Sequence, residues 1–151
     1  RSFKIEENKL YLSNMISGGI SAWKKKVFKK IALDTVNGFH MLEDTEFNYR
    51  VIQNYGSKLY INPNARVKHY HSSIGRLISG KKQYQKVIEY ILFYKKVRKS
   101  KNADLAFLWL IIGLFFESLF QSIKIMSPAP LLGYCKALIH GLDKKIIEVI
   151  L

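Results

Sequence analysis

The sequence predicts an α/β segment followed by an all-helical, strongly apolar region. Three observations lead there. Short strand-like runs and helix-periodic stretches alternate through residues 1–75. Residues 74–101 carry nine Lys or Arg against a single acid, Glu89, with Tyr84, Val87, Ile88, Ile91, Leu92 and Tyr94 running through them as the apolar face of an amphipathic helix. "LAFLWLIIGLFF" (105–116) is then an unbroken apolar run of twelve residues. The expected division is 1–75 for the α/β segment, 76–102 for the basic amphipathic helix and 103–151 for the hydrophobic helices.

The α/β elements follow in order. "KLYLSNM" (9–15) reads as a strand, and "SGGISAW" (17–23) as a glycine turn leading into apolar residues. "KKKVFKKIAL" (24–33) reads as a short helix with Val27, Phe28 and Ile31 on one side and lysines elsewhere. "EDTEFNYRVIQNYG" (43–56) is the clearest helix: Phe47, Val51, Ile52 and Tyr55 follow helical spacing, and Gly56 stands where the chain must leave it. Glu43, Asp44 and Glu46 fall at its N-terminus, the end of the macrodipole that favours negative charge. "KLYIN" (58–62) reads as a strand, "PNA" as a turn and "RVKHYH" (66–71) as a further strand.

Composition excludes several classes. Nine Tyr and nine Phe among 151 residues argue against a disordered chain and allow a real core. The single cysteine, Cys135, cannot build a disulfide framework or a thiolate zinc site within one chain, and fits a reduced, cytoplasmic setting. The opening "RSFKIEENKLYL" has neither Met nor a signal-peptide pattern and reads as the inside of a domain, so a fragment lacking its N-terminal part is expected.

The charge selects a partner class. Twenty-five Lys and Arg against 11 Asp and Glu, a formal +14, call for an anionic partner: nucleic acid, a phosphate-bearing substrate or an acidic membrane face. The basic helix runs directly into the apolar stretch, which a nucleic-acid role does not explain. Lys and Arg beside a hydrophobic segment mark the cytoplasmic side of a membrane and attract anionic lipid at roughly 1 kcal/mol per charge. An anionic membrane surface is therefore expected as a partner, and nucleic acid is not. Residues 105–123, with Glu117 among them, are long enough either to span a bilayer or to lie in its interface, and "LLGYCKALIHGLDKKIIEVIL" (131–151) is amphipathic enough to lie on it.

Three groups of residues carry candidate chemistry. Glu43 and Asp44 are ordinarily read as a helix cap; the functional alternative is a general base at a loop–helix junction. His69 and His71, spaced i, i+2, share one face of a strand and are either surface residues or ligands of a divalent ion. Gly18 and Gly19 mark a turn, or a place where a ligand approaches the backbone closely. No G-x-G-x-x-G, P-loop or G-x-S-x-G pattern occurs.

Taken in order, "SGG" (17–19), "WKKKVFKKI", "EDTEFNYRV", Gly56 to Tyr60 and the "P-x-A-x-V-x-H" run from Pro63 to His69 resemble the C-terminal half of the catalytic domain of family 2 glycosyltransferases, which have the GT-A fold. The resemblance covers residues 10–75, about half the chain. It implies that Asp44 is the base that deprotonates an acceptor hydroxyl, with Glu43 beside it shaping the acceptor site. His69, or His71 as second choice, would help hold a Mg²⁺ or Mn²⁺ ion on the donor's diphosphate. Gly18 and Gly19 would line the substrate side, and Arg50 would tie its helix to the core. The implied reaction is inverting transfer from a nucleotide-sugar donor to a glycan or lipid-linked acceptor, at the cytoplasmic face of the cell membrane and in cell-surface polysaccharide synthesis.

The pattern has one departure. The family's D-x-D motif is missing, since aspartates stand only at 34, 44, 104 and 143. The chain by itself thus reads as an acceptor-side half that does not turn over substrate. The reading from another class is a non-enzymatic basic membrane-binding module, with a nucleic-acid-binding domain behind it.

Overall fold

The computed structural model describes residues 8–34, 41–56, 58–68, 79–97 and 101–142. These are mostly helical, with one small two-stranded sheet. The chain divides into two compact units, Arg1–Thr35 with Leu42–His71, and Val36–Met41 with Ser72–Leu151.

In the first unit, β1 (Tyr11–Ser13) pairs antiparallel with β2 (Leu59–Ile61), Leu12 opposite Tyr60. Ser17 leads into a single 3₁₀ turn, Gly18–Ile20. The helix α1 (Lys25–Lys30) and the longer α2 (Glu43–Tyr55) supply most of the core: Val27, Ile31, Phe47, Val51 and Leu59, with Ile16, Trp23, Ile52 and Tyr55 packed at its edge. Phe47 and Val51 lie four residues apart and so share the buried face of α2. Trp23 meets Phe47 edge-on at 4.9 Å between ring centroids, and Phe28 stacks on it from another side at 5.6 Å. The helix stops at Gly56, whose N–H still donates to Ile52 O at 2.8 Å while its backbone turns to φ 75°, ψ 176°, a region open to glycine almost alone. Arg50 ties α2 to the chain after α1. It grips the buried Glu46 carboxylate through Nε and Nη2, both at 2.7 Å, and donates through Nη1 to Ala32 O at 2.6 Å.

Among the described residues the second unit is three helices: α3 (Ser79–Val97), α4 (Lys101–Lys124) and α5 (Ala129–Leu142). α3 and α5 run parallel with their backbones in near contact. A β-carbon on Gly133 would overlap Gly80 O, and one on Gly80 would come within 2.6 Å of Ala129 O. α4 runs antiparallel to both. Gln83 donates to Ser118 Oγ at 2.7 Å, Lys86 to both Glu117 carboxylate oxygens at 2.7 Å, and Tyr94 to Asp104 at 2.5 Å, so position in α4 rises as position in α3 falls. Tyr134 of α5 closes the third side by donating to Ile111 O. α4 ends where Met126 takes φ 51°, and α5 carries Pro130 in its first turn, where no backbone donor is missed.

These expectations are met in part. Among the described residues the α/β pattern survives only as a two-stranded antiparallel ribbon with two helices. The glycine turn expected at "SGG" is present, as the single 3₁₀ turn Gly18–Ile20. Residues 66–68 of the expected strand 66–71 are non-regular, and the rest of it lies outside the described residues. The basic stretch forms the helix α3, which lies in one compact unit with the apolar helices.

Candidate functional site

The first turn of α2 faces the 16–23 segment across a pocket of about 220 Å³, smaller than the usual site for a drug-sized ligand and suited to a single ring. Its walls are apolar and aromatic: Ile16, Trp23, Phe28, Leu33 and Phe47. Its polar groups are Glu43, Asp44 and Asn48, with the Ser21 hydroxyl at the margin.

Asp44 is the carboxylate nearest the backbone of the opposing segment. It is half-buried, and a β-carbon on Gly18 would overlap its carboxylate. The absence of a side chain at 18 leaves the carboxylate room to lie against this segment. Leu42 occupies the N-cap position of α2 and no side chain caps the helix, so among the described residues neither Glu43 nor Asp44 accepts a hydrogen bond. The capping role that the sequence suggests for this pair is therefore limited to a favourable charge in the first turn. Glu43 is exposed at the pocket rim.

Asn48 lies one turn further along the same helix face. Its Nδ2 donates to Ile16 O at 2.7 Å, which fixes the amide orientation, and its Oδ1 is buried without a partner among the described residues. A buried acceptor without a donor is costly unless something supplies one. Here it belongs to a residue lining the pocket, but the atom itself is shut off from the pocket space, so the cost is carried within the fold. Trp23 Nε1 is already engaged, donating to Ser21 Oγ at 2.9 Å, and so offers its ring rather than its N–H.

The sequence candidates thus separate. Gly18, Glu43 and Asp44 come together at the pocket. Gly19 is exposed on the 3₁₀ turn and is not among the lining residues. His69 and His71 lie outside the described residues. Among the described residues no three of His, Cys, Asp or Glu cluster in a way that would hold a metal ion. Sequence reasoning missed Asn48, although its i, i+4 spacing from Asp44 places it on the same helix face. It also read Phe28 only as helix core. A second pocket of about 440 Å³ lies against the 15–22 segment and β2, lined by Met15, Ile20, Tyr60, Ile61 and Asn62 among others, with no carboxylate or histidine among the described residues. Among the described residues the perturbed titrating groups stand in the other unit, where burial pushes the Tyr84 and Tyr134 phenols up.

Comparison with protein-family models, with curated proteins and with solved structures finds no match to this chain.

Proposed function

We propose that the chain is part of an inverting glycosyltransferase that moves a sugar from a nucleotide-sugar donor to a glycan or lipid-linked acceptor, at the cytoplasmic face of a membrane. The observation that carries this reading is Asp44: a carboxylate with no internal partner among the described residues, held against Gly18 in a small pocket walled by Trp23, Phe28 and Phe47. Carboxylate and flat aromatic walls suit a sugar, whose hydroxyls need acceptors and whose C–H faces need apolar surface. The ordered resemblance of residues 10–75 to family 2 glycosyltransferases supports it independently.

In this reading the Asp44 carboxylate takes the proton of the acceptor hydroxyl as that oxygen attacks the anomeric carbon. The carbon–oxygen bond to the diphosphate breaks on the opposite face, and the configuration inverts. Glu43 at the rim orients the acceptor. A Mg²⁺ or Mn²⁺ ion remains part of the proposal for stabilising the leaving diphosphate. The described residues do not form a site for it, and no step here is routed through it. The test is Asp44→Asn in the active transferase. Transfer is expected to be abolished while nucleotide-sugar binding, read by calorimetry, stays within about twofold. Near-normal turnover would refute the assignment.

A second reading, a non-enzymatic basic membrane-binding module, draws on the helical unit. There α4 is long and apolar enough to cross or bind a membrane, and much of its surface is exposed. An active protein whose transfer depends on Asp44 would reject it.

A further inference from the structure

We infer that the three-helix unit is an in-plane membrane platform, in which α4 lies along the bilayer surface and does not cross it. The inference rests on the membrane-surface part of the reading above and not on the transfer chemistry.

α4 has two unlike sides. Leu114 and Ser118 are buried against the other helices, whereas Leu105, Leu108, Trp109, Ile112, Phe116 and Ile123 are exposed, Trp109 at 76 %. These six recur at helical spacing and form one apolar stripe along the helix. Lys101 begins the helix and Lys124 ends it, and both are exposed. The described helices of the unit carry eight lysines against three acids, Glu89, Asp104 and Glu117. An apolar stripe between cationic ends, on a unit of net positive charge, is complementary to an anionic bilayer interface.

Length alone allows α4 to span, since 24 residues rise about 36 Å against a hydrocarbon core of about 30 Å. Its neighbour decides otherwise. α3 lies antiparallel beside α4 from Gln83–Ser118 to Tyr94–Asp104, so the two would enter the membrane together. The stretch of α3 between the exposed Lys82 and Lys95 measures only about 20 Å. Snorkelling can return those two ammonium groups to water. It cannot return Lys86 and Glu117, which meet side by side about 10 Å inside the end of α4 and stay open to the surroundings, with side chains 26 % and 36 % exposed. With α4 flat, its stripe enters the headgroup–acyl boundary while α3 and its charges remain on the aqueous side. The amphipathicity thus belongs to the unit, not to any one helix.

The test uses the full chain with Cys135→Ser, which removes the exposed native thiol, and either Lys101→Cys or Lys124→Cys. Each protein is added to preformed sealed vesicles of phosphatidylcholine with 30 % phosphatidylglycerol, floated, and treated with a membrane-impermeant maleimide; the lipid fraction is a choice of about one anionic lipid in three. Flotation with equal labelling at both positions is the expected result, with binding about tenfold weaker on neutral vesicles. Flotation with one position protected until detergent opens the vesicles means that α4 spans, and overturns the in-plane arrangement. No flotation overturns the membrane surface as partner. The untouched chain, followed by quenching of tryptophan with brominated lipids, repeats the reading without a cysteine variant. Quenching by shallow bromines above deep ones supports the platform, and the reverse order overturns it.

Discussion

Gly18 and Asp44 are in backbone-to-carboxylate contact: there is no room for a β-carbon at 18 without moving the Asp44 side chain. The contact sets the Asp44 carboxylate at the pocket wall, beside the 16–23 segment. Gly18→Ala is expected to push the carboxylate aside while leaving the core of Val27, Ile31, Phe47, Val51 and Leu59 untouched. In the active protein a displacement of about 1 Å costs on the order of 100-fold in turnover. The melting temperature should hardly change. Kinetics beside a thermal melt separate the two effects, and unchanged turnover would remove Gly18 from the site.

Asn48 yields a prediction about stability. Its Nδ2 anchors Ile16 O, so Asn48→Leu loses that bond and leaves a carbonyl unsatisfied, but also removes the orphaned Oδ1. The two changes partly cancel, for a net loss of about 1 kcal/mol. Asn48→Asp keeps the shape, loses the donor and turns a buried carboxylate oxygen toward the Ile16 carbonyl. It should cost about 2–4 kcal/mol at neutral pH. Urea denaturation of the three proteins should order them wild type, Leu, Asp. An Asp variant as stable as wild type would show that a donor other than Asn48 reaches this position.

How much of this was legible beforehand follows from what each signal measures. The α2 helix was readable because Phe47 and Val51 repeat at its period, acids open it and Gly56 closes it, all local features. The apolar α4 was readable for the same reason. The non-regular 66–68 segment was misread, because strand character depends on a partner and a partner is a long-range fact, whereas the glycine turn at 17–19 was legible from its local composition. Asp44 stood out by chemistry alone, but its contact with Gly18 spans 26 positions and has no sequence signature. The closeness of α3 and α5 was equally hidden. Gly80 and Gly133 look like ordinary small residues until the helices are seen to touch there.

Lys86 and Glu117 test how wet the helical unit is. Both side chains are partly exposed, so solvent screens the pair and its coupling should be about 0.5–1 kcal/mol in a double-mutant cycle with Lys86→Met and Glu117→Leu. The coupling should also fall with added salt. A coupling above about 3 kcal/mol, insensitive to salt, would mean that the pair is shut away from water, against the aqueous position proposed for α3.

Three glycines on α4 and α5 form a graded experiment on helix packing. Alanine is favoured over glycine in a helix interior by about 1 kcal/mol, so each replacement starts with the same gain. Gly113 has open space where a β-carbon would go, and Gly113→Ala should keep that gain as added stability. At Gly141 the β-carbon would come within 2.5 Å of Cδ1 and 3.1 Å of Cγ2 of the buried, β-branched Ile91, whose displacement offsets the gain, so Gly141→Ala should come out near neutral. At Gly133 the obstacle is the Gly80 carbonyl oxygen, with Tyr84 N at 3.2 Å behind it, and backbone has no rotamer to change. There the helices must separate, at about 1–3 kcal/mol of overpacking, and Gly133→Ala should be destabilising overall. Denaturant melts of the four proteins should rank them Gly113→Ala, then wild type with Gly141→Ala, then Gly133→Ala. A Gly133→Ala protein as stable as wild type would mean that α3 and α5 do not make the close backbone contact on which the unit is built.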